Sequence, residues 1–333
     1  MRAAAILGLG CSPKYLGPFQ DEKAQVGYKI EWQMGMSASA EEADVVLLFG
    51  GDGTIHRHLG LLVRLGLPVL IVPVGSGNDF ARSIGLPRMR DSLAAWRKFC
   101  VGAGNVRAID LGVISSIENA GKVPSTAAQG RSAPHDPSHD SGLDTHYFCC
   151  VAGVGLDGEV SRQANQLPRW LRGNGGYALT LIPTIFRFAP LPMKILKPAE
   201  SVDQESSQCN DRNAAWTTVS DQPTIFAAFA NTPFYGGGMK IAPQAKMDDG
   251  VLDVCVVRGM DPFKLFCMFP TIYSGQHLNV REVEYFQTTR VRVETEHPLD
   301  VYADGEFICR TPVEMGIHSG VLRVIVHSPQ TSF

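Results

Sequence analysis

Two apolar runs that break into glycine turns constrain this chain more than any other feature. VVLLF (45–49) and VLIVPV (69–74) show no polar alternation, which is the pattern of strands buried on both faces of a parallel sheet. The first runs directly into Gly50-Gly51-Asp52-Gly53-Thr54, the second into Gly75-Ser76-Gly77-Asn78-Asp79-Phe80-Ala81-Arg82. A third run of the same kind spans Ala3–Leu9, and Ile55–Leu65 and Ser92–Cys100 have helical patterns. Strand, glycine turn and helix in repeated succession describe an α/β layer, expected to end near Asp110. Glycine turns at the carboxyl ends of successive parallel strands face one crevice, where open α/β sheets bind ligands.

Glycine lets a backbone approach a phosphate closely, and the helix start that follows offers unpaired N–H groups to an anion. The Thr54 hydroxyl suits a phosphate oxygen, and Asp52 suits Mg²⁺, directly or through water. Either turn alone could be ordinary punctuation between strand and helix. Two, each with a carboxylate, are harder to read that way. No GxxxxGK[ST] occurs, which speaks against a P-loop kinase. Gly153, Gly155 and Gly158 fit GxGxxG, but the acidic residue expected roughly twenty positions on is missing, and the flanks do not read as βαβ. A dinucleotide site is rejected there.

At 333 residues the chain suits two domains rather than one. Beyond the first layer, Tyr147–Val154, Thr224–Ala230, Val251–Val257, Thr289–Glu294, Val301–Cys309 and Leu322–His327 are β-rich runs divided by Gly, Asp and Pro. Their spacing predicts an antiparallel sandwich. Two polar stretches, Ser116–Thr145 and Ala199–Pro223, read as mobile loops or hairpin extensions. With 44% hydrophobic and 19% charged residues the chain is globular, and a net charge of −3 disfavours nucleic acid as a partner. The eight cysteines form no CxxC pair and no disulfide-like spacing, so a reducing, cytoplasmic setting is expected. The longest apolar stretch, Tyr177–Met193, is interrupted by Arg187 and three prolines, so any membrane is met from its surface, on the inner face.

GGDGT followed by GSGNDFARSIGLP resembles the signature of the diacylglycerol kinase catalytic domain family, which includes sphingosine and ceramide kinases and bacterial lipid kinases. The likeness continues, in order, through VAGVGLDGEV (151–160), NTPFYGGGMKIAPQAKMDDGVLDV (231–254) and ADGEF (303–307), and so covers nearly the whole chain. It implies residues 1–110 as an α/β nucleotide-binding domain and 111–333 as a β-sandwich domain, with ATP in the cleft between them. It also implies Gly50, Gly51, Asp52, Gly53, Thr54, Gly75, Ser76, Asn78 and Asp79 as the nucleotide cradle. Asp304-Gly305 between alternating apolar residues is by itself a hairpin signal. The resemblance makes Glu306 the base that takes the acceptor's hydroxyl proton, with Asp304 and Asp52 organising metal-bound water. A carboxylate suffices where the transition state is loose, because the proton need leave only late. Met247–Asp253 could likewise merely turn a hairpin, whereas the resemblance implies a structural Mg²⁺ held partly by Asp249. Asp79 and Asp110 complete the acidic set around the metal, though Asp110 could instead cap a strand. Tyr235-Gly236-Gly237-Gly238 admits a substrate or is only a flexible loop.

Two departures stand out. One residue after GGDGT the family usually carries Asn-Glu, where this chain has His56-Arg57. The opening GLGCSPK replaces the family's usual Asn-Pro, leaving Lys14 as a candidate phosphate contact. His56 and His58, two apart on a helix, do not share a face and form no metal pair. From Val160 to Pro198 there is no Asp or Glu, but there are six basic residues: Arg162, Arg169, Arg172, Arg187, Lys194 and Lys197. Trp170, Leu171, Tyr177, Leu179, Leu181, Ile182, Ile185, Phe186 and Phe188 are interleaved with them. Such a stretch is expected to dock on a membrane, or else to pack as a helix on the sandwich. The reading is therefore an ATP- and Mg²⁺-dependent kinase acting on a lipid with a long-chain tail. An NAD kinase and a catalytically silent lipid-binding protein are the alternatives, and a homodimer is left open.

Overall fold

The computed structural model describes residues 1–21, 29–35, 39–117, 145–156, 158–160, 176–199 and 215–327, with backbone alone over 176–181. The first part holds strands β1 (Arg2–Leu7), β2 (Glu31–Met34), β3 (Val45–Gly50) and β4 (Val69–Pro73). Among them lie helices α1 (Gly17–Gln20), α2 (Asp52–Leu65), α3 (Asp79–Ser83) and α4 (Met89–Cys100). The four strands pair in parallel in the order β4-β3-β1-β2. Every residue of β3 and β4 is buried, as their unbroken apolar sequences require. Helix α2 buries Ile55, Leu59, Leu62 and Leu65, a stripe at three- and four-residue spacing, and ends at Gly66 in the left-handed region. In the β3–β4 register Gly50 sits opposite Pro73, so both glycine turns leave the sheet at the same level.

The second part comprises β5 (Val106–Ser116), β6 (Thr145–Phe148), β7 (Val151–Gly155), α5 (Gly176–Arg187), β8 (Leu191–Pro198), β9 (Trp216–Ala230) and β10 (Leu252–Arg258). It continues with α6 (Pro262–Met268), β11 (Val283–Thr288), β12 (Arg290–Thr295), β13 (Asp300–Ala303), β14 (Glu306–Arg310) and β15 (Val313–Ile325). These strands pair with one another antiparallel around a second apolar core that includes Phe148, Ile195, Phe229, Val254 and Val293. The two parts are joined by β15. It runs antiparallel to β5 from Val313↔Ser116 to Ile325↔Val106, and its end lies parallel to β4 at Val324↔Val69. The whole is a mixed sheet.

Several expected elements differ. Leu322–His327 is the tail of thirteen-residue β15 rather than a separate short strand. Its middle, His318–Gly320, is exposed and polar, which interrupts the apolar pattern. The expected loop Ala199–Pro223 is strand from Trp216 onward, paired with β8 from Pro198↔Trp216 to Leu191↔Thr224. That half of β9 is mostly solvent-facing, so alternation is absent although the ladder is present. Leu191–Pro198, in the stretch expected at the membrane, is a sheet strand with Met193 and Ile195 buried. Helix α6 and the 3₁₀ turns Phe269–Ser274 and Gln276–Asn279 were unannounced. Residues 118–144 and 200–214 of the polar stretches lie outside the described residues, as do Arg162, Arg169, Trp170, Leu171 and Arg172 and the side chains of Tyr177, Leu179 and Leu181.

Candidate active site

The two glycine turns press against each other. A Cβ on Gly75 would lie 2.6 Å from the Gly51 Cα, and one on Gly51 would lie 3.1 Å from the Gly75 Cα. At Gly75 only glycine allows that approach, and at Gly51 a side chain would be tight. Asn78, left-handed at φ 55°, closes the second turn: its amide oxygen accepts from Gly75 N at 3.1 Å and its Nδ2 donates to Gly75 O at 2.6 Å. Asp52 then ties one turn to the other, accepting from Asp79 N at 3.0 Å and Phe80 N at 3.2 Å. Ser76 is exposed at the rim, and Thr54 is buried with its hydroxyl facing Gly8. Lys14 sits exposed on the 3₁₀ turn Pro13–Leu16.

The second part closes on this surface at two places. Asp79 accepts from Gly237 N at 2.7 Å and pairs with Arg82 at 2.7 Å, so the Tyr235–Gly238 loop is pinned to the start of α3. Opposite the start of α2, the β13–β14 hairpin turns through Asp304, at φ 51°, and Gly305. Among the described residues Asn78 and Asp304 are the two non-glycine residues with positive φ, and both are predicted site residues. Such strain persists only where surrounding contacts over-determine it. Those contacts are plain for Asp304. Its fully buried carboxylate accepts from the backbone N–H of Cys149 (2.8 Å), Cys150 (2.8 Å) and Val151 (3.3 Å), from the Cys149 thiol (3.3 Å), and meets His56 Nδ1 at 3.1 Å. Glu306 is exposed, with Oε1 only 3.2 Å from where a Cβ on Gly53 would stand. The hairpin signal and the predicted base therefore coincide.

Asp110 has partners of its own. Its oxygens accept from Gly250 N and Gly320 N, both at 2.8 Å, its own N–H donates to Met247 O, and buried Asn231 Nδ2 bridges its carbonyl to that of Cys149. Asp249, exposed, is hydrogen-bonded to Val251 N at 3.3 Å and stands near Asp110. The structure thus groups Asp52, Asp79, Asp304 and Glu306 around the two turns, and puts Asp110 and Asp249 together. His56, Arg82 and the amides of Cys149–Val151 were not singled out as site residues. Arg82, three residues after Asp79 in one motif, was findable by helical spacing; backbone amides carry no such signal.

The electrostatics are those of a carboxylate-rich cleft. Burial, reinforced by the charges of Asp79 and Asp304, pushes Asp52 up to about 6 despite its two backbone hydrogen bonds. Burial also raises Asp79 against the pull of Gly237 N and Arg82. For Asp304 burial alone would raise the pKa, but the hydrogen bond and charge of His56 and the Cys149 and Cys150 amides outweigh it and hold it low. The ligand atoms are oxygen, several close carboxylates repel one another, and each Asp52 oxygen accepts a single backbone amide and keeps a second lone pair, whereas the Asp304 oxygens are taken up by their own partners. That set suits Mg²⁺. Cys149, Cys150 and Asp304 also bring their ligand atoms within 4.8 Å of one another. Burial holds both thiols protonated, Cys150 up to about 12.

A continuous apolar chamber lies under α5 and α6, lined by Leu156, Ile185, Phe226, Leu265, Met268 and Ile272 among others, with no charged side chain. Tyr235 also lines it, two residues before the amide that grips Asp79. Around the chamber Ile182, Phe186, Phe263, Phe266 and Tyr273 are exposed, and the rings of Phe186 and Phe266 meet at 5.9 Å.

Comparison with known proteins identifies the family and the fold. The family profile of the diacylglycerol kinase catalytic domain matches residues 28–114, and that of the YegS C-terminal NAD kinase beta sandwich-like domain matches 150–326. The chain is 32% identical over 290 residues to a diacylglycerol kinase of Mycobacterium tuberculosis, covering 87% of this chain and 79% of that protein. It is 23% identical over 272 residues to a diacylglycerol kinase of Bacillus subtilis, covering 81% and 73%. A crystal structure described as a diacylglycerol kinase from Bacillus anthracis superposes with a TM-score of 0.59 at 16% identity, over 98% of this chain and 96% of that one, which shows a shared fold. On two matched domains and a relative of this identity, the chain belongs to the diacylglycerol kinase family of lipid kinases.

Proposed function

We propose that this chain transfers the γ-phosphoryl group of ATP to the hydroxyl of a membrane lipid, diacylglycerol or a similar long-chain alcohol. The observation that carries the lipid reading is the apolar chamber, which runs up to Tyr235 beside the Asp79–Gly237 contact. Its uncharged lining favours an apolar group over a soluble dinucleotide, and at about 60 Å³ it admits an acyl tail only by widening.

In this mechanism residues 1–110 supply the nucleotide side and 111–333 the acceptor side. The turns at Gly50–Thr54 and Gly75–Asn78 present backbone N–H groups to the phosphates, with Ser76 at the rim. Asp52 and Asp79 hold the two turns and the Tyr235–Gly238 loop in place, and their charge attracts the cation that accompanies ATP. Bound Mg²⁺ would offset charge on the transferring phosphoryl group. A structural Mg²⁺ would use Asp249 with Asp110. Glu306 orients the lipid hydroxyl and accepts its proton late in a loose transition state, and Asp304 fixes the turn that carries it. The exposed Phe186, Phe263 and Tyr273, with Arg187, would meet the inner face of the membrane. No described helix is long and apolar enough to cross one.

The test is to incubate the purified protein with γ-labelled ATP, Mg²⁺ and mixed micelles carrying a panel of lipid alcohols, with free NAD in parallel. Label in an organic-extractable product is expected. Label only in a water-soluble dinucleotide would support an NAD kinase, and label nowhere would support a silent lipid-binding protein. Replacing Arg169, Arg172 and Arg187 by Glu and sedimenting with anionic liposomes tests the docking. Unchanged binding would remove that surface from the proposal.

A further inference from the structure

His56 departs from the family pattern, and it occupies a position that no other described side chain shares. It stands on α2, two residues after the Gly50–Thr54 motif, and its ring reaches the β13–β14 hairpin at Asp304 Oδ2, 3.1 Å away. The other partners of Asp304, the amides of Cys149–Val151 and the Cys149 thiol, all belong to the β6–β7 side. They hold the turn to its own half of the molecule. Among the described residues that meet that carboxylate, His56 alone ties the turn to the helix that carries the phosphate-facing motif. Two residues beyond Asp304, Glu306 Oε1 hangs over Gly53 on the same helix. Turning the strained Asp304 backbone therefore swings Glu306 directly relative to the helix start.

We propose that His56 is a positioning residue: by joining α2 to Asp304 it fixes the hairpin so that Glu306 faces the reacting hydroxyl. This rests on the kinase reading above. Imidazolium at this place also faces the Asp304 and Glu306 carboxylates, against the like charge of Arg57 beside it on α2, a helix that also carries His58 and, two turns further on, Arg64. Strand β6, packed on α2, carries His146 and Tyr147. Strand β15, also packed on α2, brings His318, whose ring stacks on Tyr147. Asp52 lies at the helix start. Carboxylates therefore dominate the surroundings, and the charged form makes the stronger, charge-assisted bond.

The asparagine amide nitrogen falls close to where a histidine Nδ1 sits, so His56→Asn keeps a donor to Asp304, whereas His56→Ala removes it. With the lipid acceptor, His56→Ala should lower kcat about 10- to 100-fold while leaving KM for ATP little changed. His56→Asn should recover most of that loss. The wild-type kcat should fall on the alkaline side as the imidazolium is lost, and that limb should be missing in His56→Asn. Two readouts do not depend on turnover. Amide hydrogen exchange over residues 300–310 should quicken in His56→Ala and return in His56→Asn. The His56 ring should titrate at lower pH in Asp304→Asn than in wild type, followed by NMR. An unmoved hairpin in the alanine variant, or an asparagine variant no better than alanine, overturns the assignment. If the wild type phosphorylates no lipid, the kinase reading fails, and exchange and titration still decide whether His56 holds the hairpin.

Discussion

At the scale of single residues, the acidic groups of this site do different work although the sequence presents them alike. Glu306 is the exposed one, and Glu306→Gln should keep ATP affinity yet lower turnover by about 100-fold or more. Near-normal kcat at saturating lipid would remove it from the reaction. Asp304 is fully buried and fully bonded. Asp304→Ala leaves its amide donors and His56 without a partner and should cost about 3–5 kcal/mol of stability, measured by urea unfolding. Asp52 predicts a pH dependence of opposite sign to the usual carboxylate. Unfolded, it loses its proton near 3.8; folded, it keeps it until about 6. Between those values the unfolded chain binds fewer protons, so its contribution to stability falls as pH rises. Urea midpoints across that window should show the decline, and Asp52→Asn should flatten it. The sequence pointed to all three because carboxylates near glycine turns are visible in one dimension. It could not show that Asp304 is bonded by three amides, because amides have no letter, nor that His56 completes that set.

Among the elements, the strands buried on both faces are the most directly legible. β3 and β4 have no polar residue facing solvent, so composition alone marks them. The half of β9 from Trp216 to Pro223 is held by its ladder to β8 and not by burial, so its sequence reads as a loop. Helix α6 escaped because its apolar residues do not all face the core: Phe263 and Phe266 point to solvent while Leu265 and Met268 line the chamber. The most testable element-level feature is the contact of the two glycine turns. In Gly75→Ala the new methyl meets the Gly51 backbone at 2.6 Å, which cannot move aside as a side chain could. The variant should lose about 1–3 kcal/mol and bind ATP more weakly, by calorimetry. A variant with wild-type ATP affinity would mean that the turns separate freely.

For the whole molecule, the exposed surface is uneven, with its large apolar side chains gathered in part on α5 and α6. The apolar rim at Phe263 and Phe266 predicts that alanine at each lowers partition onto vesicles by about tenfold per ring, in line with the burial of one aromatic side chain. Thermal stability should hardly change, since both rings are exposed. Equal binding by the double variant would leave the rim without a role at the membrane. The long strand β15 has a further consequence. Its pairing with β4 supplies that strand's second neighbour, and the partner comes from position 324, some 250 residues downstream of Val69. While the chain is being made, the first sheet waits with β4 as an open edge until some 250 further residues have emerged from the ribosome. An open edge of Val, Leu and Ile is an invitation to other strands. This enzyme should therefore depend on holding chaperones during synthesis, and its amino-terminal third, expressed alone, should be found in inclusion bodies.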